Sequence, residues 1–384
     1  MRIKDRKIVI LNQAINYLTI GLANEFAEKF ENVALITGGI HVQGEELNKN
    51  IKITYIHKWK ENHGIGKAIN YVKALLFMWY LLMTKYRKHE VFFVSVPPMG
   101  YLLNIILPHR FSMLIWDVYP DVFKITGMKT SHPVYKIWGY LNKKSFKKAF
   151  RLFTIGDIVS DLLASYVSKE KIISTPIWSI FQENSKIEKR NNPFLKEHNL
   201  GDKFIVQYSG NIGLTHNVEV LVDIAKEMTQ YPSILFQIIG RGPRKSKLEE
   251  RVKAERIPNC QFLPFQSDEM FPYSLSAADV GVVILDELTS KGSVPSKSYN
   301  LMSYGIPSLY IASLDSELKN YADKYKHAKC FSKNDLSNVK NYILELSENK
   351  QLYKQLSVNS EAASKYFKRD NASKFIHHYL NERK

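Results

Sequence analysis

The sequence predicts an α/β protein with two domains, each built on a parallel sheet. Short apolar runs, which predict buried strands, alternate with segments long enough to form helices. This alternation occurs twice, before and after a polar stretch near residue 190, and it is typical of parallel βαβ units with helices on both faces of a sheet. The length of 384 residues agrees with two domains of roughly 100–200 residues each.

Six strands are predicted in the first alternation and five in the second. The first set is Lys7–Asn12, Val33–Thr37, Ile51–His57, Val91–Val96, Ser112–Asp117 and Leu152–Ile155. The second set is Phe204–Tyr208, Leu235–Ile239, Gln261–Pro264, Val280–Leu285 and Ser308–Ile311, with helices between them at 217–229, 243–257, 267–278 and 296–304. Open parallel sheets bind ligands at the carboxyl ends of their strands, so the candidate site residues are those that follow the strands.

The polar stretch has neither a helical nor a strand period, and it is predicted to link the two domains. The boundaries are an N-terminal domain at 1–185, a linker at 186–202 and a C-terminal domain at 203–360. The pattern from Lys350 onward is helical throughout, and a final helix is assigned to 361–384.

The net charge of +17 is concentrated in the N-terminal half. Residues 1–190 carry 28 Lys and Arg against 15 Asp and Glu, whereas the remainder carries 26 against 22. This asymmetry indicates an anionic partner near that half, either nucleic acid, anionic lipid or a phosphorylated substrate. The two cysteines and the lack of a signal-peptide core near the start favour a reducing, cytoplasmic compartment.

Two glycine-containing segments follow strands of the C-terminal domain. Gly210 and Asn211 come after one strand, and Gly240 and Arg241 come after the next. A glycine-rich turn before a helix lets backbone amides approach a phosphate. The alternatives are a plain tight turn at the first segment and a solvated basic helix start at the second. Cations at a helix N-terminus oppose its dipole, so those of 241–245 favour an anionic ligand.

A third segment, Ser293–Lys297, precedes another predicted helix. Ser296 is predicted to cap that helix, with Lys297 in its first turn after Pro295. Amide groups at a helix start together with a lysine suit a diphosphate. An ordinary serine cap is the alternative, but it does not explain a lysine at an unfavourable position.

One carboxylate of the N-terminal domain follows a strand directly. Asp117 lies at the predicted end of its strand, with Asp121 four residues further on. A carboxylate there could orient a substrate hydroxyl or act as a general base. The alternative is an aspartate that caps the turn after the strand.

Two stretches of the N-terminal domain combine apolar, aromatic and basic residues. Residues 65–88 form one long helical segment with a continuous apolar centre at 74–83. This pattern is equally typical of a helix in the protein core and of a helix that lies in the membrane interface. Ten apolar residues are too few to span a bilayer. The stretch 135–150 interleaves aromatic residues with lysines, but no nucleic-acid recognition signature accompanies it, so nucleic acid is not expected as a partner.

Other chemistries lack their motifs. There is no His-Glu-x-x-His pair, and His377 and His378 have no carboxylate cluster beside them, so no metal site is expected. Neither a Gly-x-Ser-x-Gly elbow nor a Walker lysine loop occurs, which argues against hydrolase and ATPase functions.

Several short motifs occur in a characteristic order along most of the chain. They are Leu11–Gln13, Ser95–Pro98, Asp117–Asp121, Thr126–Gly127, Pro176–Trp178, Tyr208–Gly213, Ile239–Gly242, Ala278–Asp279, Val294–Lys297 and Gly305–Pro307. In order and spacing they resemble the bacterial family-4 glycosyltransferases of GT-B architecture, and within that family the WbuB-like polysaccharide branch.

This resemblance implies two Rossmann-like domains whose sheets face a central cleft, and a reaction that retains the anomeric configuration. The C-terminal domain would hold a nucleotide-sugar donor, the N-terminal domain would hold the acceptor, and the final helix would return to the N-terminal domain. The implied donor-binding residues are Gly210, Asn211, Gly240, Arg241, Pro295, Ser296, Lys297 and Asn300. The implied acceptor-binding residues are Asn12, Asn16, Asp117 and Asp121. Asp117, Arg241 and Lys297 are the predicted catalytic residues.

The chain also departs from the family pattern. Asn211 and His216 stand where many members have an arginine and a lysine, and Gly292 and Asn300 stand where two glutamates are usual. Arg241 and Lys297 are the expected replacements for the missing cations, because a diphosphate leaving group needs positive charge or amide donors nearby.

The expected function is a membrane-associated glycosyltransferase of capsule, exopolysaccharide or O-antigen synthesis. It would move a sugar from a nucleoside diphosphate, UDP above all, to a lipid-diphosphate-linked saccharide, without a metal ion or other cofactor. It would lie in the cytoplasm, with its basic half on the anionic inner surface of the cell membrane. The alternatives are a UDP-sugar epimerase on the same fold and a non-catalytic protein that binds nucleotide-sugar or membrane.

Overall fold

The computed structural model describes residues 5–58, 65–182, 186–213, 216–288 and 290–381. The chain forms two compact units. Unit 1 comprises residues 1–180 and 369–384, and unit 2 comprises residues 181–368. Each unit is built on its own parallel sheet.

Unit 1 contains a seven-stranded sheet in the order β3-β2-β1-β4-β5-β6-β7. Its strands are β1 (Lys7–Leu11), β2 (Asn32–Thr37), β3 (Lys52–Tyr55), β4 (Glu90–Val94), β5 (Phe111–Leu114), β6 (Arg151–Thr154) and β7 (Ile172–Ser174). Its helices are α1 (Tyr17–Lys29), α2 (Ile65–Met83), α3 (Leu103–Ile106), α4 (Pro133–Lys148), α5 (Asp157–Leu163) and, from the end of the chain, α14 (Asn371–Leu380). The strand order reverses between β1 and β4, and open parallel sheets commonly bind ligands at the carboxyl ends of the strands on either side of such a reversal.

Unit 2 contains a six-stranded sheet in the order β10-β9-β8-β11-β12-β13. Its strands are β8 (Phe204–Asn211), β9 (Ile234–Arg241), β10 (Cys260–Leu263), β11 (Val280–Ile284), β12 (Ser308–Ile311) and β13 (Ala328–Phe331). Its helices are α6 (Pro193–Glu197), α7 (Glu219–Glu227), α8 (Lys245–Ala254), α9 (Phe271–Ser276), α10 (Lys297–Ser303), α11 (Glu317–Tyr325), α12 (Leu336–Glu348) and α13 (Lys350–Ser364). Here the order reverses between β8 and β11.

The sequence patterns explain why these elements form. The central strand β1 is covered by helices on both faces, so residues 8–11 are all apolar and fully buried. The next element, α1, begins where the Asn16 side chain accepts hydrogen bonds from the Leu18 and Thr19 amides. The prediction of two α/β units with parallel sheets is confirmed.

Several boundaries differ from the predicted ones. The short edge strands β7 and β13 were not predicted, and β5 ends at Leu114, three residues before Asp117. The predicted linker 186–202 contains α6, whose Phe194 and Leu195 are buried in a core cluster of unit 2. The continuous C-terminal helical pattern is interrupted between α13 and α14, and unit 2 extends to Lys368.

The last helix, α14, belongs to unit 1. Its Tyr379 ring meets the Phe26 ring edge-on at a centroid distance of 5.2 Å. On the same helix, the backbone carbonyl of His378 accepts a hydrogen bond from the Arg151 side chain at 2.9 Å. Packing of this kind ties the end of the chain to α1 and to β6.

Candidate functional site

The carboxyl ends of β8 and β9 approach each other closely in unit 2. Gly210 pairs with Gly240, and Asn211 pairs with Arg241, in the register of the two strands. A Cβ on Gly240 would lie 1.9 Å from the Gly210 carbonyl oxygen, and the φ values of Gly210 and Gly240 are +151° and +158°. These glycines therefore allow two extended strands to continue side by side. The glycine-rich turn predicted at 209–213 begins later than expected, because β8 continues through Asn211.

Lys297 lies beside this strand end. Its Nζ atom is 4.0 Å from the centre of the Tyr208 ring, and a Cβ on Gly210 would come within 2.7 Å of the same Nζ. The Nζ atom is buried, and no atom of the described residues accepts a hydrogen bond from it. Burial lowers the pKa of the Lys297 ammonium to about 7. A buried amino group without a partner is costly, which points to an anionic ligand at this position.

A pocket opens next to Lys297 at the strand-order reversal of the second sheet. Its lining residues are Gln207, Ser209, Phe271, Leu275, Val282, Lys297, Asn300 and Leu301. The polar members lie along the ends of β8 and α10, and the apolar members come chiefly from α9 and β11. Asn300 follows Lys297 by one helical turn, so both reach the same pocket. The structure thus brings together the predicted residues Gly210, Lys297 and Asn300.

His216 packs against Tyr208, beside Lys297. Its ring centre lies 6.5 Å from that of Tyr208. Burial lowers the pKa of His216 to about 3, with the nearby charge of Lys297 as the second cause. In the sequence, His216 stands out only as a departure from the family pattern. Neither His216 nor Tyr208 is among the predicted site residues. The spacing of His216 from Asn211, which matches that of the usual cation pair, is the signal that could have found it.

The start of α10 differs from its prediction. Ser296 has helical backbone angles, with φ −59° and ψ −23°, and its side chain makes no capping hydrogen bond. A side chain on a helical backbone cannot reach forward to the free amides, so the predicted serine cap is wrong. Pro295 instead accepts a hydrogen bond from the Ser298 hydroxyl at 2.8 Å.

The basic segment after β9 divides into two groups. Arg241 is exposed at the strand end, and its guanidinium lies 5.3 Å from the centre of the Phe265 ring. By contrast, Arg244 pairs with Glu219 at 2.9 Å, and Lys245 donates to the Leu263 carbonyl at 3.1 Å. Both of these cations therefore have structural partners within unit 2.

In unit 1, Asp117 is exposed beyond the carboxyl end of β5. Burial raises the pKa of the nearby Tyr119 hydroxyl, and the charge of Asp117 raises it further. Among the four residues predicted to bind an acceptor, Asp117 is the one with an exposed side chain.

The other three predicted acceptor residues hold unit 1 together. The buried Asp121 accepts hydrogen bonds from Lys124, Tyr135 and Tyr166, each at 2.6 Å. Asn12 is also buried, donating to the Thr19 hydroxyl and accepting from the Ala14 amide, both at 2.9 Å. Asn16 caps α1. These bonds give all three side chains structural positions.

An exposed apolar face runs along α2. Its members, hereafter the α2 face, are Ile69, Val72, Leu76, Phe77, Trp79, Tyr80 and Met83, which are 41–59% exposed. The opposite side buries Ala74, Met78, Leu81 and Leu82. The core-helix prediction for this segment is therefore wrong for one whole side of α2. Within the described ranges, no helix has the length and apolar character needed to cross a membrane.

The helix α4 presents a second mixed surface. Val134, Ile137 and Tyr140 are exposed on it, and exposed lysines accompany them at Lys136, Lys143, Lys144, Lys147 and Lys148. As to metals, no group of three or more His, Cys, Asp or Glu side chains suited to hold an ion occurs in the part of the chain that the structure describes.

Comparison with known proteins adds a family match and relatives. Residues 190–363 match the family described as "Glycosyl transferases group 1". WcaI of Escherichia coli, named as a glycosyl transferase of colanic acid biosynthesis, is 28% identical over 161 residues, which are 41% of this chain and 39% of that protein. WbjE of Pseudomonas aeruginosa, named as a glycosyltransferase, is 23% identical over 228 residues, 58% of this chain and 56% of its own length. The matched regions thus span about half of these relatives or less.

Solved structures match over nearly the whole chain. HepE of Anabaena, in complex with UDP and glucose, has a TM-score of 0.71 at 12% identity and covers 98% of this chain and 99% of its own. WaaG, a glycosyltransferase involved in lipopolysaccharide biosynthesis, has a TM-score of 0.73 at 11% identity, with coverage of 98% and 100%. The chain therefore shares the GT-B fold of these structures, and residues 190–363 are similar to the glycosyl transferases of group 1.

Proposed function

We propose that the protein is a retaining glycosyltransferase of cell-surface polysaccharide synthesis, which moves a sugar from a UDP-sugar to a lipid-diphosphate-linked saccharide. The observation that carries the proposal is the buried, unpartnered Nζ of Lys297 at the strand-order reversal of unit 2. The names of WcaI and WaaG support the polysaccharide setting, and the UDP bound to HepE supports the choice of nucleotide.

The donor diphosphate would lie against Lys297. An anion there would supply the partner that Nζ lacks and would raise the pKa of the ammonium from about 7. The charge on the diphosphate increases as the sugar bond breaks, so a protonated lysine would stabilise the leaving group. Cations and amides would provide this neutralisation without a metal ion.

Other residues at the sheet edge would share the donor. Gly210 and Gly240 leave room for close approach, and Asn211 and Arg241 are exposed beside them. Arg241 would contact the diphosphate, and Asn300 would bind a ribose or sugar hydroxyl from within the pocket. In unit 1, the exposed Asp117 would position the acceptor hydroxyl or act at the anomeric region.

The proposed membrane association rests on surfaces of unit 1. The α2 face combines aliphatic side chains with Trp79 and Tyr80, and residues of this type settle at a membrane interface. Lysines of α4 and the basic balance of the N-terminal half would attract an anionic lipid surface at about 1 kcal/mol per cation. Such docking on the cytoplasmic side would bring the protein to a lipid-linked acceptor.

The donor proposal is tested by a thermal-shift screen against UDP, GDP, ADP, CMP and their sugar conjugates without added metal. A ligand that binds the native state raises the melting temperature, and we expect the clearest rise with UDP or a UDP-sugar. Lys297→Met should lose this rise. Lys354→Met, which removes an exposed lysine of α13 in the same unit, is the matched control and should keep it. A screen with no shift for any nucleotide would count against the proposal.

The membrane proposal is tested by sedimentation with vesicles of zwitterionic lipid with and without anionic lipid. We expect binding to the anionic vesicles that weakens with salt and falls at least tenfold in a Leu76→Gln, Tyr80→Gln double variant, because these two side chains are 59% and 53% exposed on the α2 face. Leu288→Gln, a change at a 60% exposed leucine of unit 2, serves as control. Equal binding by all three proteins would refute docking through α2.

A further inference from the structure

Tyr208 occupies an unusual place at the end of β8. The side chain is fully buried, its hydroxyl donates to the Asn211 carbonyl at 2.6 Å, and one face of its ring lies 4.0 Å from the Nζ of Lys297. Side chains two apart on a strand share a face, so the missing side chain of Gly210 lies on the same side as the ring. The lysine thus occupies a slot formed by an aromatic ring and a glycine.

This slot stabilises the charge of the Lys297 ammonium only in part. A ring face attracts a cation through its quadrupole, and this attraction grows when water is excluded. Among the described residues that line the pocket, Gln207, Ser209 and Asn300 are polar but neutral, and no carboxylate is present. The ring can therefore hold the ammonium in place while its hydrogen-bonding capacity stays unused on the pocket side.

We propose that Tyr208 is a positioning residue for the nucleotide donor: its ring holds the Lys297 ammonium at the edge of the sheet, with Nζ ready to donate to the diphosphate. This inference rests on the proposed donor site and deepens it. Tyr208 acts through Lys297 and makes no contact with the reacting atoms.

Few titratable groups lie around Nζ among the residues that the structure describes. They are Tyr208 on β8 and His216 in the segment that follows it, whereas the residues contributed by α9 and β11 are apolar. Burial raises the pKa of Tyr208, and the pKa of His216 is about 3, so neither changes charge between pH 7 and 9. Within that range the affinity for UDP should weaken as pH rises, because the lysine of the free protein loses its proton while the bound lysine keeps it.

The experiment measures UDP binding by calorimetry at several pH values between 7 and 9 for the wild type, Tyr208→Phe and Tyr208→Leu. Phenylalanine keeps the ring, so we expect affinity within about threefold of wild type and the same dependence on pH. Leucine removes the ring and should weaken binding about tenfold. Circular dichroism of each variant checks the fold. If Tyr208→Leu folds and binds UDP as tightly as the wild type, the positioning role is refuted, while the donor site itself stands.

A second measurement needs only the wild type and Lys297→Met. With lysine labelled at ¹³Cε, the Lys297 signal is assigned by its loss in the variant. We expect ring-current displacement of its ε-protons both without and with UDP, since Tyr208 holds the side chain in both states. Loss of that displacement when UDP binds would overturn the inference. Absence of UDP binding by the wild type would instead refute the proposed function.

Discussion

Replacing Asp121 by asparagine should destabilise unit 1 by about 3 kcal/mol. Asp121 is 7% exposed, and both of its carboxylate oxygens accept hydrogen bonds. One oxygen accepts from Lys124 and Tyr135, and the other accepts from Tyr166. These donors come from three separate segments, so the carboxylate joins the loop after β5 to α4 and to the turn after α5.

The magnitude follows from what asparagine cannot do. It offers one accepting oxygen, so either Tyr135 or Tyr166 would face an amide NH₂ and lose its acceptor. A hydrogen bond to a charged group contributes about 1.5–3 kcal/mol, and the bonds that remain would become neutral and weaker. The ion pair adds less than 1 kcal/mol, because the Lys124 side chain is 36% exposed and screened by solvent.

The assay is urea unfolding followed by tryptophan fluorescence. The five tryptophans all lie within residues 1–180, so their emission reports on unit 1. With a slope of about 3 kcal/mol per molar urea, the midpoint should fall by about 1 M. Asp161→Asn breaks a pair with Lys169 in which both side chains are more than half exposed, and this control should change the midpoint little.

An unchanged midpoint for Asp121→Asn would show that the hydrogen bonds of this carboxylate do not stabilise unit 1. If that variant kept its stability and lost sugar transfer, Asp121 would bind the acceptor, as the family resemblance implies, and its hydrogen bonds to the two tyrosines would contribute little to stability.

Two further predictions concern unit 2. Gly240→Ala should lower the calorimetric unfolding temperature of unit 2 and weaken UDP binding, because the added Cβ would collide with the Gly210 carbonyl; an equally stable variant would show that the strands separate easily. Burial lowers the pKa of His327 to about 4, whereas an unfolded histidine has a pKa of about 6.5. The buried neutral His327 therefore contributes its full stabilisation of the folded state above pH 6.5. This stabilisation, about 3 kcal/mol in all, is lost as the pH falls toward 4. Chemical unfolding of wild type and His327→Phe at pH 4.5 and 7.5 should show a smaller pH effect in the variant, and an equal pH effect would assign the acid sensitivity to other groups.

The strands could be predicted because burial on both faces leaves a continuous apolar run. Residues 8–11 and 280–284 show this pattern, and each lies in the middle of its sheet. The edge strands β7 and β13 were missed because they are three and four residues long and partly exposed. Strand ends were also misplaced where glycine pairs extend β8 and β9, since glycine ordinarily indicates a turn.

The candidate site was predictable in part. The role of Lys297 could be predicted because a lysine at the start of a helix is unfavourable without an anion nearby, and the local sequence is sufficient to show its position. Its contact with Tyr208 could not be foreseen, because it depends on how α10 packs beside β8. The role of Asp121 depended likewise on Tyr135 and Tyr166, which approach it only in the folded unit.

The most direct test of the central claim is sugar transfer itself. Membranes that contain lipid-diphosphate-linked saccharides are incubated with radiolabelled UDP-sugars and with wild-type protein, Lys297→Met or Lys354→Met, and label in the lipid fraction is counted. We expect incorporation from one UDP-sugar with the wild type and with Lys354→Met, and a decrease of about 10²-fold or more with Lys297→Met, since the lysine would meet the charge that develops on the leaving diphosphate. Full incorporation by Lys297→Met would contradict the role of Lys297 at the donor diphosphate. No incorporation from any UDP-sugar with the wild type would contradict the proposed function.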